Sequence, residues 1–512
     1  MKNIFSKNKS NKTVVLAASA LMILTAISIT LGVNTRTPTR MSVNASTINY
    51  CIPPTVSTTS VDSVYDGYLN QQTGPGWVGG DSTYHTTLPD GRTVWDFSDT
   101  LIGTASTTGQ ATFTGMPHNT LLIGSGSSLA TDLGGSYTSP HSLIPDDTYN
   151  GQQAWYWVGA TYVENGQLLV FANQITSGTF GTVTGNSVIA VFSIPAAPAL
   201  PVFQKIIPIV SDPGMQWGNG YTFDSTYNYI YGVASNHQMK LARVARGKTT
   251  TLSSWQFWNG TSWVSGEQNA VVMNSTQAEA ISPLPSNWGK GYIAVSVSAF
   301  PGLQLQEQFS CAPQGPWSPP QSIYTIPETN GEYPYEIAYI PNVVGYHPSG
   351  NSSLRVSYNI NYTGSNGFQT LAQNINMYRA RFVDLQSNGQ VTGYKGFCMD
   401  DKGAVTTNGN PVQIWTCLGN SQQQWTYYPD KTLQVFGKCL NVPSGQTANG
   451  TKVSLWSCTG GTNQQWTQKS NGELVHVASG KCLTDPNSST ANGTQLQIKT
   501  CQNYGSQHWK LP

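Results

Sequence analysis

The sequence predicts an all-β protein made of two domains, and three observations carry that prediction. At 512 residues the chain is too long for a single hydrophobic core. Only 10% of its residues are charged, whereas glycine, tyrosine and tryptophan are frequent, and this composition favours strands joined by tight turns. The last quarter of the chain repeats one short unit three times, as copies of one supersecondary element do.

The N-terminus carries the pattern of a targeting segment. Four lysines, ending at Lys12, precede an uncharged run over residues 13–33, and Val43-Asn44-Ala45 offers a small-residue cleavage site. The run is long for a signal peptide and long enough to span a bilayer. Residues 1–45 are therefore predicted to be either a cleaved signal peptide or a membrane anchor, and both alternatives place the folded chain outside the cell.

Short strand-like runs alternate with Gly, Asn, Asp and Pro turns throughout residues 61–385. One hairpin signal, Leu88-Pro89-Asp90-Gly91, separates two such runs. Roughly five groups of runs, at about 60 to 70 residues each, fit a propeller of five blades, although a pair of sandwiches fits the same pattern. The flanking residues 46–60, rich in Thr, Ser and Pro, and residues 386–392 are predicted to be linkers.

The charge balance and the missing motifs exclude several functions. With 25 Lys and Arg against 24 Asp and Glu, the chain has no excess of basic charge for a nucleic-acid backbone. The sequence also lacks a Gly-rich phosphate loop. It contains neither a Gly-x-Ser-x-Gly elbow nor a His-Glu-x-x-His motif, so a serine hydrolase or a metalloprotease is disfavoured. No metal or cofactor is predicted, although oxygen ligands for a structural Ca²⁺ are plentiful. No protein partner is evident, so a monomer is expected, and the aromatic and amide side chains suit a glycan ligand.

The repeated unit recurs every 41 to 43 residues and has two marks. Each copy ends in Gln-x-Trp, with its tryptophan at Trp425, Trp466 or Trp509. Before each motif stand two cysteines 19 residues apart, which are Cys398 and Cys417, Cys439 and Cys458, and Cys482 and Cys501. Paired cysteines of this kind indicate an oxidising compartment. A disulfide between the remaining Cys51 and Cys311 would tie the N-terminal segment to the large domain, although Cys51 could also be free.

Residues 393–512 resemble the ricin B-type lectins, which are β-trefoil carbohydrate-binding domains. The resemblance rests on the Gln-x-Trp motifs, the cysteine pairs and the Asn-Gly turns at Asn408, Asn449 and Asn492. It implies that the three tryptophans pack in a shared core and that each cysteine pair closes a loop, which contributes on the order of 3 kcal/mol in chain-entropy estimates.

The same resemblance implies a sugar site in each repeat. The family uses an acidic residue after the first cysteine, a Gln and an aromatic residue before the second, and the polar pair that opens Gln-x-Trp. In repeat one these positions hold Asp400, Gln413, Trp415, Gln422 and Gln423. In repeat two they hold Asn441, Ser454, Trp456, Asn463 and Gln464. Repeat three has Lys499 in place of the stacking ring, so repeat one is expected to bind best.

Seven short segments of the large domain occur in a characteristic order. They are Gly80-Asp81, Ser98-Asp99, Pro117-His118-Asn119, Trp155-Tyr156-Trp157, Gln216-Trp217-Gly218, Tyr346-His347-Pro348 and Ser357-Tyr358-Asn359-Ile360-Asn361. In this order they resemble secreted five-bladed β-propellers related to the arabinanase-like and endo-D-arabinanase-like glycoside hydrolases. The fold expected for the whole chain is therefore a five-bladed β-propeller at 61–385 followed by a β-trefoil at 393–512.

The propeller resemblance implies that Asp81 and Asp99 lie at one mouth of a central channel. Glycoside hydrolysis usually needs two carboxyl groups in one cleft. Asp81 is predicted to be the general base or nucleophile, and Asp99 its partner or the general acid. Glu279 and Glu336 are the best further acids, and His347 is predicted to tune a carboxylate or bind substrate. Whether the reaction retains or inverts the anomeric centre stays open.

The predicted function is that of a secreted glycoside hydrolase acting on an arabinan- or arabinogalactan-like polysaccharide. The appended lectin would hold the catalytic domain near its polymer and raise its local concentration. The alternative is a non-catalytic carbohydrate-binding or adhesion protein. Ala160 favours that alternative, because the related proteins lead us to expect an acidic residue at its position.

Overall fold

The computed structural model describes residues 55–177, 182–209, 215–234, 238–273, 280–284, 291–298, 302–329, 336–346, 353–428 and 430–512. The predicted leader at 1–45, Cys51, Glu279 and His347 lie outside these ranges. Within them, no helix is long and apolar enough to cross a membrane.

Antiparallel strands follow one another along the large domain in five groups, here called blades. Before them come β1 (Thr55–Val61) and α1 (Ser63–Asn70). Blade 1 holds β2 (Gly76–Gly80), β3 (Tyr84–Thr87), β4 (Thr93–Phe97), β5 (Thr100–Ala105), β6 (Ala111–Gly115), β7 (Thr120–Ser125) and β8 (Ser128–Asp132), and a ribbon of β9 (Gly134–Ser136) and β10 (Ser139–His141) follows it. Blade 2 holds β11 (Asp147–Tyr149), β12 (Gln152–Glu164), β13 (Gln167–Thr176), β14 (Thr182–Ser193) and β15 (Val202–Ile209).

Blade 3 holds β16 (Met215–Phe223), β17 (Tyr227–Ala234), β18 (Met239–Ala245), β19 (Gln256–Trp258) and β20 (Trp263–Val264). Blade 4 holds β21 (Ala280–Pro283), β22 (Tyr292–Val297), β23 (Gln304–Ser310) and β24 (Gln321–Thr325). Blade 5 holds β25 (Glu336–Tyr346), β26 (Ser353–Tyr362), α2 (Gly367–Gln373) and β27 (Arg381–Gly389).

The blades form a closed ring around a channel. The strands β3, β12, β16, β21 and β25, one from each blade, contact one another in that order, and β25 contacts β3 again. The hydrophobic clusters lie between neighbouring blades, so a strand such as β13 is buried on both faces and is apolar from Leu168 to Ala172. The predicted five-bladed β-propeller is confirmed as the fold of the large domain.

The strand β1 closes the ring by pairing with β27 of the last blade, from Thr55 opposite Asn388 to Val61 opposite Val383. The predicted linker at 46–60 is therefore wrong for residues 55–60. The Thr and Val residues of this segment favour strand because their branched Cβ atoms suit the pleated backbone. The Thr- and Ser-rich composition of residues 46–60 is also typical of a linker, which explains the wrong prediction.

A buried ion cluster supports this closure. The guanidinium of Arg355 on β26 pairs with the carboxylate of Asp62, next to β1, and lies 3.5 Å from that of Asp384 on β27. The ring of Tyr65 covers the guanidinium at 3.7 Å. Each of the three residues is at most 5% exposed, and burial raises the pKa of Asp384 to about 7. Removing the guanidinium would leave two buried carboxyl groups without a cation.

The second domain is the predicted β-trefoil. Its strands are β28 (Cys398–Asp401), β29 (Val412–Trp415), β30 (Trp425–Tyr427), β31 (Leu433–Val435), β32 (Lys438–Asn441), β33 (Ser454–Ser457), β34 (Trp466–Gln468), β35 (Leu474–His476), β36 (Cys482–Thr484), β37 (Thr494–Gln495) and β38 (Gln497–Lys499). The indoles of Trp425, Trp466 and Trp509 share one core, and each donates to a carbonyl oxygen of its own repeat at 2.9 to 3.0 Å. The three predicted disulfides are present, and Cys311 is also disulfide-bonded.

The three Asn-Gly turns link the repeats in a circle. The side-chain oxygen of Asn408 accepts from the N–H of Ser457 in repeat two at 2.8 Å, and Asn449 does the same for Thr500 in repeat three. Asn492 of repeat three accepts from Thr416 of repeat one at 2.8 Å, which closes the circle.

The two domains share a continuous sheet. Strand β27 runs on to Gly389 and pairs with β30 of the trefoil through Asn388 opposite Thr426 and Gly389 opposite Trp425. The predicted linker at 386–392 is therefore wrong for residues 386–389, because their backbone groups belong to this ladder.

Candidate functional site

Two neighbouring strands of blade 1 are interrupted at the same level, at a place here called the break. Asp81, Ser82 and Thr83 separate β2 from β3, and Ser98 and Asp99 separate β4 from β5. Ser82 and Thr83 have φ of 73° and 38°, a left-handed backbone that costs a residue with a side chain on the order of 1–3 kcal/mol. Because such strain persists only where surrounding contacts enforce it, the break is a candidate functional site.

Contacts from three blades hold the break in place. The hydroxyls of Ser82 and Ser98 lie 2.8 Å apart, and the Ser98 hydroxyl also accepts from the N–H of Val158 in blade 2 at 3.0 Å. From blade 5, the side-chain amide of Asn342 donates to the carbonyl oxygen of Ser82 at 2.7 Å.

Asp81 and Asp99 lie opposite each other across the break. The N–H of Asp81 donates to the carbonyl of Asp99 at 3.4 Å, and the N–H of Ser98 donates to the carbonyl of Asp81 at 3.0 Å. Both carboxylates also act electrostatically on the hydroxyls of Tyr339 and Tyr378, so the two acids lie close together. Both are buried, with 0% of Asp81 and 2% of Asp99 exposed.

Two buried tyrosines donate to this acid pair. The hydroxyl of Tyr339 on β25 donates to the Asp81 carboxylate at 3.0 Å, and that of Tyr378 donates to the carbonyl oxygen of Asp99 at 2.9 Å. Burial, followed by the negative charge of Asp81, raises the pKa of both hydroxyls well above the usual range. Both tyrosines therefore stay protonated and act as hydrogen-bond donors.

The Asp99 carboxylate is bound from the side of blade 2. Its Oδ1 lies 2.7 Å from Nδ1 of His118 and accepts from the indole N–H of Trp157 at 3.0 Å. The His118 ring stacks on Trp155 with a centroid distance of 4.5 Å and an angle of 17°. Burial lowers the pKa of the imidazole, but the hydrogen bond to Asp99 and the charges of Asp99 and Asp146 outweigh it and raise the pKa above the usual value.

The raised pKa makes one contribution to stability depend on pH. A histidine whose folded pKa exceeds its unfolded value, about 6.5, stabilises the fold fully below that pH and loses the effect as the pH rises through the folded pKa. We therefore expect the deficit in unfolding free energy of His118→Asn, on the order of 1–3 kcal/mol, to be largest near pH 5–6 and to shrink toward pH 9. Chemical denaturation of both proteins across this range measures it, and a deficit independent of pH would contradict the ion pair.

Two further buried acids lie on β25 and β4, and only one of them is predicted from the sequence to be a site residue. Glu336 is buried at the start of β25, three residues before Tyr339. Asp96 on β4 was missed; it is fully buried, and its carboxyl makes no hydrogen bond to the described residues. Burial raises the pKa of the Asp96 carboxyl well above its usual range.

Ala160 lies deeper in the channel. With Tyr84, His85, Thr161 and Asn342 it lines a cavity of about 80 Å³, which has room for several water molecules. Position 160 contributes a methyl group to the wall of this cavity, where an acidic side chain was expected.

In repeat one of the trefoil, the predicted sugar residues form a connected group. The Asp400 carboxylate accepts from the side-chain amides of Gln413 at 2.9 Å and Gln423 at 3.1 Å. Trp415 and Gln422 are part-exposed beside them. The carboxylate is thus held in one orientation, with a ring and an amide at the surface.

The glutamines that open Gln-x-Trp in repeats one and two are buried and hydrogen-bond to the backbone of their own loops. Gln423 is 0% exposed; its amide N–H groups also reach the carbonyl of Thr416, and its oxygen accepts from the N–H of Leu418. Gln464 is equally buried and repeats this pattern with Ser457 and Thr459.

Repeats two and three depart from repeat one in their charge and their ring. In repeat two, Asn441 is buried and accepts from the amide of Asn463 at 2.8 Å, while Trp456 is 42% exposed as a platform. In repeat three, Asp485 is buried and burial raises its carboxyl pKa to about 6. The exposed Lys499 stands where the other repeats have a ring.

Comparison with known families divides the chain at the same place as the fold does. Residues 62–388 match the family described as a domain of unknown function (DUF5005), and residues 387–509 match the ricin-type beta-trefoil lectin domain. The C-terminal part is thus a ricin-type lectin domain.

Individual relatives resemble this chain over short stretches. The ribosome-inactivating protein PMRIPt of Polygonatum multiflorum is 39% identical over 51 residues, 10% of this chain and 8% of that protein. The agglutinin of Ricinus communis is 37% identical over 60 residues, 11% of each chain. This chain therefore spans about a tenth of the length of these curated relatives.

One solved structure shares the fold of the large domain. It is a Bacteroides ovatus protein provisionally described as a hydrolase, with a TM-score of 0.52 and 20% identity. The superposition covers 64% of this chain and 90% of that one, and at this identity it shows the fold alone.

Proposed function

The chain belongs to the DUF5005 family and carries a ricin-type lectin domain behind it, and we propose that it is a secreted glycoside hydrolase held on its polysaccharide by the lectin. The observation that carries this proposal is the neighbouring pair Asp81 and Asp99 at a strained break in blade 1. Glycoside hydrolases usually act through two carboxyl groups in one cleft.

The cost of the break supports a functional reading. Two left-handed residues and two buried carboxyl groups destabilise a fold, and such features cluster at active sites. Aromatic rings that suit a sugar lie beside the pair, since Trp155 stacks on His118 and Trp157 donates to Asp99. In the proposed reaction Asp81 is the general base or nucleophile, and Glu336 is a further acid on the neighbouring blade 5.

The lectin domain supplies the substrate class. Its best-formed site, around Asp400 and Trp415, combines a carboxylate with a ring, which suits galactose- or arabinose-containing polymers. Attachment to the polymer raises the local concentration of the catalytic domain. The disulfides fit an extracellular protein, and we propose that residues 1–45 direct its export.

Release of reducing ends tests the proposal. The mature protein is incubated with arabinan, arabinogalactan, galactan and xylan, and new reducing ends are measured over time. Release from at least one polymer is the expected result. If no polymer is cleaved while the protein is still retained on a galactose resin, the hydrolase proposal fails.

Two observations favour a second candidate, a glycan-binding protein without catalysis. Both carboxylates are buried, and the channel wall at Ala160 lacks an acid. In that case the break would be a structural joint, and both domains would serve recognition only.

The lectin site gives a matched pair of variants. We expect Asp400→Asn to weaken binding to a galactose resin about 10- to 100-fold, because the charged acceptor is lost and each charge-assisted hydrogen bond contributes about 1.5–3 kcal/mol. Asp485→Asn removes a buried carboxyl group from repeat three, one residue after the position that matches Asp400, and is expected to leave binding nearly unchanged. Retention is measured by affinity chromatography; equal loss in both variants would contradict the assignment of repeat one.

A further inference from the structure

His118 is the part of the acid cluster that reaches solvent. Its side chain is 21% exposed, whereas the side chain of its partner Asp99 is 2% exposed. Nδ1 is engaged by Asp99, and Nε2 makes no hydrogen bond to the described residues. One nitrogen of the ring is therefore held by a carboxylate while the other is open to a substrate.

Asp99 itself is poorly placed to give a proton to a sugar. Its Oδ1 already accepts from Trp157 and lies against Nδ1 of His118, so this oxygen is occupied by protein groups. The imidazole and the indole also stand between this carboxylate and the solvent.

The position of His118 is fixed on several sides. Its backbone N–H donates to the hydroxyl of Ser142 at 3.1 Å, and Trp155 covers one ring face. The charged groups that act on the ring are Asp99 and, more weakly, Asp146, and both favour the imidazolium. A histidine oriented by a buried carboxylate is an arrangement that serves proton transfer.

We propose that His118 is the general acid of the reaction and that Asp99 is the positioning residue that orients it and keeps it charged. This inference rests on the proposed glycoside hydrolase function. The substrate contact is Nε2–H of the imidazolium, which donates to the glycosidic oxygen at the mouth of the propeller.

The step balances without any further reactant. As the bond between the anomeric carbon and the glycosidic oxygen breaks, its electron pair stays on that oxygen, which takes the proton from Nε2 and leaves as an alcohol. Water supplies the new oxygen on the anomeric carbon, directly or through a glycosyl intermediate. The proton that this water loses passes to a carboxylate, the base role proposed for Asp81, and returns to His118 through solvent.

The choice of leaving group separates an acid from a structural residue. An alcohol leaving group needs protonation, whereas para-nitrophenol leaves as its anion. We expect His118→Asn, which keeps a donor toward Asp99, to lower kcat/KM on arabinogalactan by about 10²- to 10⁴-fold. Its activity on para-nitrophenyl arabinofuranoside or galactopyranoside should stay within about tenfold of wild type. His141→Asn, an exposed histidine on β10, is the matched control and should behave as wild type.

The pH profile supplies an independent readout. The alkaline limb of kcat/KM on arabinogalactan should lie above the usual histidine pKa of about 6.5, and Asp99→Asn should move it to lower pH. If His118→Asn lost activity equally on polymer and on aryl glycoside, the role of His118 would be overturned while the hydrolase function would stand. An alkaline limb of kcat/KM that does not move in Asp99→Asn would have the same consequence. A wild-type protein inactive on all of these substrates would overturn the hydrolase function and this inference together.

Discussion

Asp81→Asn is expected to lower the rate of polysaccharide hydrolysis by about 10²- to 10⁴-fold while leaving the fold intact. Asparagine has almost the same size as aspartate and can still accept from Tyr339, but it cannot take a proton from water or attack an anomeric carbon. The loss should appear in kcat, measured by reducing-end release at saturating polymer, because the change removes chemistry and not binding.

Asp132→Asn is the matched control for that experiment. Asp132 ends the outer strand of the same blade, and burial raises its pKa to about 7, so it is another partly buried acid outside the break. It should retain nearly full activity. Equal activity of Asp81→Asn and Asp132→Asn would remove Asp81 from the reaction.

Arg355→Met is expected to destabilise the propeller by about 3–5 kcal/mol, the largest effect on stability that we expect from one substitution. It leaves the carboxylates of Asp62 and Asp384 buried without their common cation, and it removes the group under the Tyr65 ring. Because these residues join β1 to the last blade, opening of the ring should be the first event in unfolding. Urea denaturation followed by tryptophan fluorescence measures the change in free energy.

Arg246→Met provides the comparison for this second variant. Arg246 is exposed and lies 4.7 Å over the ring of Phe223, so its loss should cost less than about 1 kcal/mol. If both variants were equally stable, the ion cluster would not contribute to closure of the ring.

The trefoil could be predicted from sequence almost completely, because its information is local and repeated. The spacing of Cys398, Cys417 and Trp425 recurs in each copy, and a pattern found three times is much more specific than a single match. Closure of the propeller was harder to predict. The pairing of β1 with β27 joins segments more than 300 residues apart, and the Thr- and Ser-rich composition of β1 is equally typical of a linker.

The acid pair was predictable because Asp81 and Asp99 stand out in apolar, aromatic strands. The role proposed for His118 could not be predicted from the sequence. Its partner Asp99 lies 19 residues away in the chain, and Trp155, which stacks on its ring, belongs to another blade. Likewise, the family pattern put Gln423 and Gln464 in the sugar sites, whereas the structure places them beneath the surface. Whether a polar side chain faces a ligand or its own loop depends on three-dimensional contacts that its position in a motif does not encode.

Proton NMR of the anomeric region during incubation with arabinogalactan and arabinan tests the central claim most directly. If this chain is a glycoside hydrolase that uses the break in blade 1, new anomeric signals should appear with the wild-type protein and disappear with Asp81→Asn. Spectra that stay unchanged with every polymer, from a protein still retained on galactose resin, would contradict the claim and leave a glycan-binding protein.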